Sequence, residues 1–172
     1  INPLQRIPVI VDNGWRVVES LAILDYLEAK YPSPSLMPKN AEAIAIIRMV
    51  EMIAVNELQP ATIPLTKQLV GLEVEPAKLE ASKHRINTVL QLYEDLLGNS
   101  TYFAGEDFTL AEVVAGTLVP SVSMFGIAID NYPKLKTWVE LLQARESFQQ
   151  TTPSPEQIQS AIPNIKKILE SR

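Results

Sequence analysis

Apolar positions change period along the chain. Pro8-Val9-Ile10-Val11 is short, β-branched and apolar, and Trp15-Arg16-Val17-Val18 has the same character. Between them lies Asp12-Asn13-Gly14, a hairpin signal because Asn-Gly tolerates positive φ at both turn positions. From Ser20 to Lys30 the period lengthens to that of a helix, with Ile23, Leu24 and Leu27 on one face and Ser20 as its expected N-cap. Residues 7–30 therefore read strand, turn, strand, helix.

Three prolines fall between Tyr31 and Pro38. They remove backbone donors and mark residues 32–39 as a linker between a first unit, 1–31, and a second, 40–172. Everything after Asn40 reads helical. Ala41 to Glu57 is apolar almost all round (Ile44, Ile47, Val50, Ile53), which predicts burial on several sides or packing against a second subunit. Met49, Met52 and Met124 read as core or interface fillers. Asn56, Glu57 and Gln59 end this helix, facing solvent, a subunit interface or a ligand cleft. Pro76 opens the next helix, whose stripe Leu79, Ile86, Val89, Leu90, Tyr93, Leu96 and Leu97 leaves Lys78, Glu80, Glu94 and Asp95 off it.

Thr109 to Phe125 carries one charge, Glu112, and reads as the central core helix. Thr109 and Glu112 form a capping box, Phe108 and Val113 a hydrophobic staple, and Pro120 predicts a kink. Pro133 opens a helix with Leu135, Trp138, Val139 and Leu142 inward. Ser154-Pro155-Glu156-Gln157 is a second capping box, followed by Ile158, Ile162, Ile165 and Ile168 in a helix that Pro163 should break. There is no internal repeat or low-complexity tract.

Composition narrows the chemistry. The 172 residues are 47% hydrophobic and 20% charged, with a net charge of -5. That is the balance of a folded globular protein. There is no cysteine and one histidine, His84. Disulfides, thiolate metal sites, a cysteine nucleophile and a multi-histidine metal site are excluded within these residues. His84 falls opposite the apolar stripe and reads as exposed and inert. Trp15 and Trp138 read as packing residues. The acidic balance, with Lys166-Lys167 the only adjacent basic pair, argues against nucleic acid. No apolar run reaches the roughly 18 residues of a membrane span, so the chain reads as a cytoplasmic protein that meets small molecules or other proteins.

One stretch carries chemistry: Arg6-Ile7-Pro8-Val9-Ile10, then Glu19-Ser20-Leu21-Ala22-Ile23, Tyr26-Leu27 and Tyr31-Pro32. It resembles the cytosolic glutathione S-transferase superfamily, in which a Lys-Val-Pro-Val-Leu-like strand precedes a Glu-Ser-x-Ala-Ile-x-x-Tyr-Leu helix start. Gly105 to Glu112 resembles the family's Gly-x-x-(Ser/Thr)-x-Ala-Asp segment, with Glu112 where Asp is usual. Tyr132 to Trp138 resembles the opening of a late family helix.

The resemblance implies an α+β fold. The C-terminal part of a thioredoxin-like domain, a β-hairpin plus helix, is followed by an all-α helical-bundle domain. It also implies that the sequence begins in the middle of a domain, at the third strand, lacking the first βαβ unit and the Tyr, Ser or Cys that activates the glutathione thiol. No catalytic residue is nameable. The implied glutathione contacts are Ile7, through its backbone, Pro8 after a cis bond, Glu19 for the γ-glutamyl ammonium, Ser20 for the γ-glutamyl carboxylate, and Arg6 for the glycyl carboxylate. From pattern alone Ser20 and Glu19 equally serve the helix terminus, Pro8 an edge strand and Arg6 the solvated surface.

The expected activity is conjugation of the glutathione thiol to an electrophilic small molecule by a homodimer. Glutathione is the co-substrate, and no cofactor, metal, nucleic acid or membrane is involved. The alternative is a non-catalytic interaction or scaffold module of the same fold.

Overall fold

The computed structural model describes residues 2–171. Strands β1 (Val9–Asp12) and β2 (Trp15–Val18) form an antiparallel hairpin in which Val9 faces Val18 and Asp12 faces Trp15. Asn13 and Gly14 take φ of 49° and 79°, the left-handed conformation that a two-residue hairpin turn needs. Helix α1 (Ser20–Lys30) packs on β2. Its Tyr26 hydroxyl donates to Asp12 Oδ2 at 2.7 Å, and Lys30 pairs with the same carboxylate.

The helical part comprises α2 (Ala41–Ile53), α3 (Gln59–Leu69), α4 (Pro76–Leu97), α5 (Leu110–Leu118), α6 (Pro133–Gln143), α7 (Glu146–Thr151) and α8 (Pro155–Glu170). Its core is one cluster around Ile47, Val50, Leu58, Ile86, Leu90 and Trp138. Tyr93, Phe103 and Trp138 stack edge to face, each neighbouring pair 5.1 Å apart. The Tyr93 hydroxyl donates to the Val50 carbonyl at 2.8 Å, which ties α4 to α2. Burial pushes that phenol far above its ordinary range. Both capping boxes form, at Thr109/Glu112 and at Ser154/Gln157. Phe108 and Val113 both lie against the core. No helix of the described residues is long and apolar enough to cross a membrane.

Several local expectations need correcting. Ser20 does not cap α1. Glu19 occupies the N-cap, Ser20 is the first helical residue, and no side chain bonds the free amides there. The helix from Ala41 does not run to Glu57 as a plain α-helix. It passes at Ala54–Leu58 into a π-helical turn before α3. Pro60 explains this, since it has no N–H for the preceding turn and its ring needs room there. Pro120 ends α5 rather than kinking it, and Val119–Phe125 continues as 3-10 helix. Pro163 does not break α8. It sits on the exposed side, where water can meet the Gln159 carbonyl it leaves without a donor. Trp15 is 67% exposed, not packed, whereas Trp138 is buried as expected. Met49, Met52 and Met124 are exposed on this chain, so they are not core fillers. Glu94 is buried although it lies off the apolar stripe. Its carboxylate accepts from the Lys134 and Leu135 amides at 3.1 and 2.8 Å, covering the start of α6. His84 is exposed, as expected.

Candidate functional site

The loop before β1 is folded by its own side chains. Asn2 Oδ1 accepts from the Leu4 amide at 2.9 Å, and Asn2 Nδ2 donates to the Arg6 carbonyl at 2.8 Å. The Ile7–Pro8 peptide bond is cis. Ile7 is 92% exposed, and among the described residues its backbone N–H and C=O make no hydrogen bond. A backbone with both groups free can pair with a peptide-like ligand by strand addition.

Glu19 joins β2 to α1 with φ 70° and ψ 127°. This is costly for a residue with a β-carbon, and such conformations gather at functional sites. The uncapped amides of α1 and the Ser20 hydroxyl form a donor corner suited to a carboxylate. The Glu19 side chain adds an anion beside it, suited to an ammonium. Among the described residues neither Glu19 nor Arg6 has an ion-pair partner.

Arg6, Ile7, Pro8, Glu19 and Ser20 all line one cleft of about 640 Å³. Its opposite wall is helical. Val55 comes from the π-helical turn, Gln59, Thr62 and Ile63 from α3, and Ile168 from α8. Gln59 therefore belongs to the cleft, one of the settings its sequence position left open. Asn56 and Glu57, its neighbours in the sequence, are exposed and do not line it. Val55, Thr62, Ile63 and Ile168 were not legible as cleft residues, since they share no motif with residues 6–20. The one available signal was the Gln59-Pro60 pair, where the helix had to change its winding.

Two polar junctions hold α1 in place. Arg48 of α2 reaches Asp25 of α1 at 2.5 Å and Glu51 at 2.8 Å. Burial pushes the Glu51 carboxyl above its ordinary value, and Arg48 only partly offsets this. Farther along, Glu28 accepts from the Leu36 amide at 3.1 Å and from the Ser35 hydroxyl at 2.6 Å. Leu36 in turn accepts from the Leu110 amide at 3.1 Å. The proline-rich connection is thus tied to α1 on one side and to α5 on the other.

A hairpin and helix joined through such a connection to a helical bundle, with a cleft between them, is the architecture of a known enzyme class. Residues 27–146 match the family model for the glutathione S-transferase C-terminal domain, and residues 1–35 match one for the N-terminal domain. The chain belongs to the glutathione S-transferase family, whose members are glutathione-dependent transferases and isomerases.

It is 28% identical over 154 residues to a rat maleylacetoacetate isomerase, covering 89% of this chain and 70% of the relative. It is also 28% identical over 163 residues to glutathione S-transferase F14 of Arabidopsis thaliana, covering 88% and 64%. The chain thus spans about two thirds of the length of these curated relatives. Among solved structures, it resembles a glutathione S-transferase of Methylobacterium radiotolerans in complex with glutathione sulfonate. The TM-score is 0.76 at 28% identity, over 88% of this chain and 74% of that one. The fold is accordingly a thioredoxin-like hairpin and helix followed by an all-helical domain, as the sequence led one to expect.

Proposed function

We propose that the protein binds glutathione in this cleft and presents its thiol to an electrophilic small molecule. The carrying observation is that Arg6, Ile7, Pro8, Glu19 and Ser20, drawn from both sides of the hairpin, line one cavity. The Ile7 backbone beside Pro8 pairs with the cysteinyl unit. Ser20 and the α1 amides take the γ-glutamyl carboxylate, Glu19 takes the ammonium, and Arg6 takes the glycyl carboxylate. The thiol gives up its proton, and the thiolate attacks the electrophilic carbon and displaces its leaving group, which departs with the bonding electron pair, to form a thioether. A relative named as an isomerase supports a variant outcome, in which the thiolate adds to an activated double bond and leaves again.

In this reading the thiol-activating residue lies outside the residues of the cleft described here, and no cofactor is required. The unit boundaries stay at 1–31, 32–39 and 40–172. The working form is a cytoplasmic homodimer. The exposed Met49 and Met52, one turn apart on α2, support such a pairing.

Calorimetric titration of the full chain with glutathione tests the reading. Saturable binding is expected, weakened about 100-fold or more in Glu19→Gln/Ser20→Ala, as the loss of two charge-assisted contacts of roughly 1.5–3 kcal/mol each implies. Absence of binding would overturn it and favour the scaffold alternative.

A further inference from the structure

A second cavity, of about 390 Å³, is formed by the turn that follows α4 and by helix α6. It shares no lining residue with the cleft at the hairpin. The turn contributes Asn99 and Ser100, and α6 contributes Lys134, Trp138 and Leu141. Trp138, at 2% exposure, is the one buried residue among those lining it, so the indole forms the floor.

That floor carries an unmet donor. Among the described residues the Trp138 Nε1–H has no hydrogen-bond partner. An indole N–H can only donate, and a buried one ordinarily finds an acceptor. The rest of the ring is packed in the core, edge to face with Phe103. The cavity is therefore the open side from which an acceptor can reach it.

The other lining groups define that acceptor. Lys134, Trp138 and Leu141 stand at i, i+4 and i+7 on α6, so they share one face in that order. The Lys134 ammonium is exposed and has no ion-pair partner among the described residues. The nearby hydroxyls are already committed, Thr101 donating to Glu106 at 2.5 Å and Thr137 to the Pro133 carbonyl at 3.0 Å. No carboxylate lines the cavity. A buried N–H and a free cation one turn apart, with no anion between them, suit a carboxylate. Leu141, 38% exposed one turn farther on, suits an apolar body behind it.

We infer that this cavity is a binding site for a small carboxylate with a compact apolar body. The carboxylate accepts from Trp138 Nε1–H and from Lys134. The body lies along Leu141, and Asn99 and Ser100 meet a polar group at its far end. The inference is independent of the glutathione reading.

The probe is para-hydroxybenzoate, titrated into the nitrogen-15-labelled full chain and followed by the indole N–H resonances. The chain has two tryptophans, and Trp15→Phe assigns their signals. Saturable movement of the Trp138 resonance is expected, with a Kd of about 0.1–1 mM for a ligand of this size, while that of Trp15 stays in place. para-Hydroxybenzamide, of the same shape without the charge, should bind about tenfold more weakly or worse. Lys134→Met should weaken the benzoate about five- to twentyfold, and far-UV circular dichroism verifies that this exposed substitution leaves the fold intact. Saturating glutathione should change the affinity by less than about twofold. A Trp138 resonance unmoved up to about 10 mM probe, equal binding of acid and amide, or undiminished affinity in Lys134→Met overturns the inference. Competition with glutathione overturns it as well, since that would put the probe in the hairpin cleft. A chain that binds the benzoate but not glutathione overturns the glutathione reading alone.

Discussion

Glu112 is a helix cap by position and a structural junction by contact, and the two roles predict different costs of losing it. Its side chain is fully buried at the third residue of α5. Oε2 accepts from the Thr109 amide at 2.9 Å and from the Thr109 hydroxyl at 2.6 Å, and Oε1 accepts from the Phe103 amide at 2.9 Å. A cap alone is worth about 0.5–2 kcal/mol. Here Glu112→Ala would leave two buried backbone donors, those of Thr109 and Phe103, without partners, at about 1–3 kcal/mol each. The expected loss is therefore about 4 kcal/mol, a large part of an ordinary total of roughly 5–15.

Glu112→Asp keeps the carboxylate but shortens the arm by one methylene. It keeps the Thr109 contacts and gives up Phe103, so it should cost about 1–3 kcal/mol. Equilibrium urea unfolding, followed by tryptophan emission and by far-UV circular dichroism, measures both variants. A loss below about 2 kcal/mol for Glu112→Ala, or equal losses for the two variants, would refute the junction and leave only a cap.

Other outcomes follow from the same structure. Glu94→Ala strips the acceptor from the Lys134 and Leu135 amides. Water can replace it at the exposed Lys134, so the expected loss is about 1–3 kcal/mol, less than for Glu112→Ala, measured by urea unfolding. Arg48→Met leaves Glu51 buried without its cation and should cost about 3–5 kcal/mol at neutral pH. Burial already raises the Glu51 carboxyl, and losing Arg48 raises it further. A raised folded value makes the penalty absent below the unfolded value of about 4.3 and growing as pH rises above it. Unfolding at pH 5, 6 and 7 should show the deficit widening, and Glu51→Gln in the same background should remove most of that slope. Iodide should quench an accessible part of the tryptophan emission, from Trp15, and Trp15→Phe should leave only the shielded emission of Trp138.

What the sequence disclosed was whatever neighbours decide. The Asn13-Gly14 hairpin, the two capping boxes and the proline-opened helices depend on residues within four positions of each other. What it concealed was decided across the fold. Glu94 looks like a solvated charge by helical phase, and only the arrival of α6 some 40 residues later buries it. Pro163 looks like a helix breaker until its side of α8 turns out to face water. Trp15 has the composition of a packing residue, yet no described element covers it. The cleft divides the same way. Its hairpin side comes from one contiguous motif and was legible, while its helical side comes from three elements that meet only in the folded molecule.

The winding change at Ala54–Leu58 joins those two levels. Without Pro60 an uninterrupted α-helix would continue the 3.6-residue period from Ile47 and Val50 into α3. A π-helical turn spends more residues per turn, so side chains after Ile53 are shifted around the axis relative to those before it. That shift lets Leu58 stay buried while Val55 and Gln59 line the cleft. The opposite side is set independently, because Arg48 grips Asp25 from the turn before the winding change. Helix α2 therefore does two jobs in succession. Its regular part fixes where α1 and the Glu19-Ser20 corner stand, and its widened end supplies part of the cleft wall that faces that corner. A change at Pro60 should thus alter the helical wall of the cleft while leaving the Glu19-Ser20 corner in place, whereas a change at Arg48 should disturb the corner first.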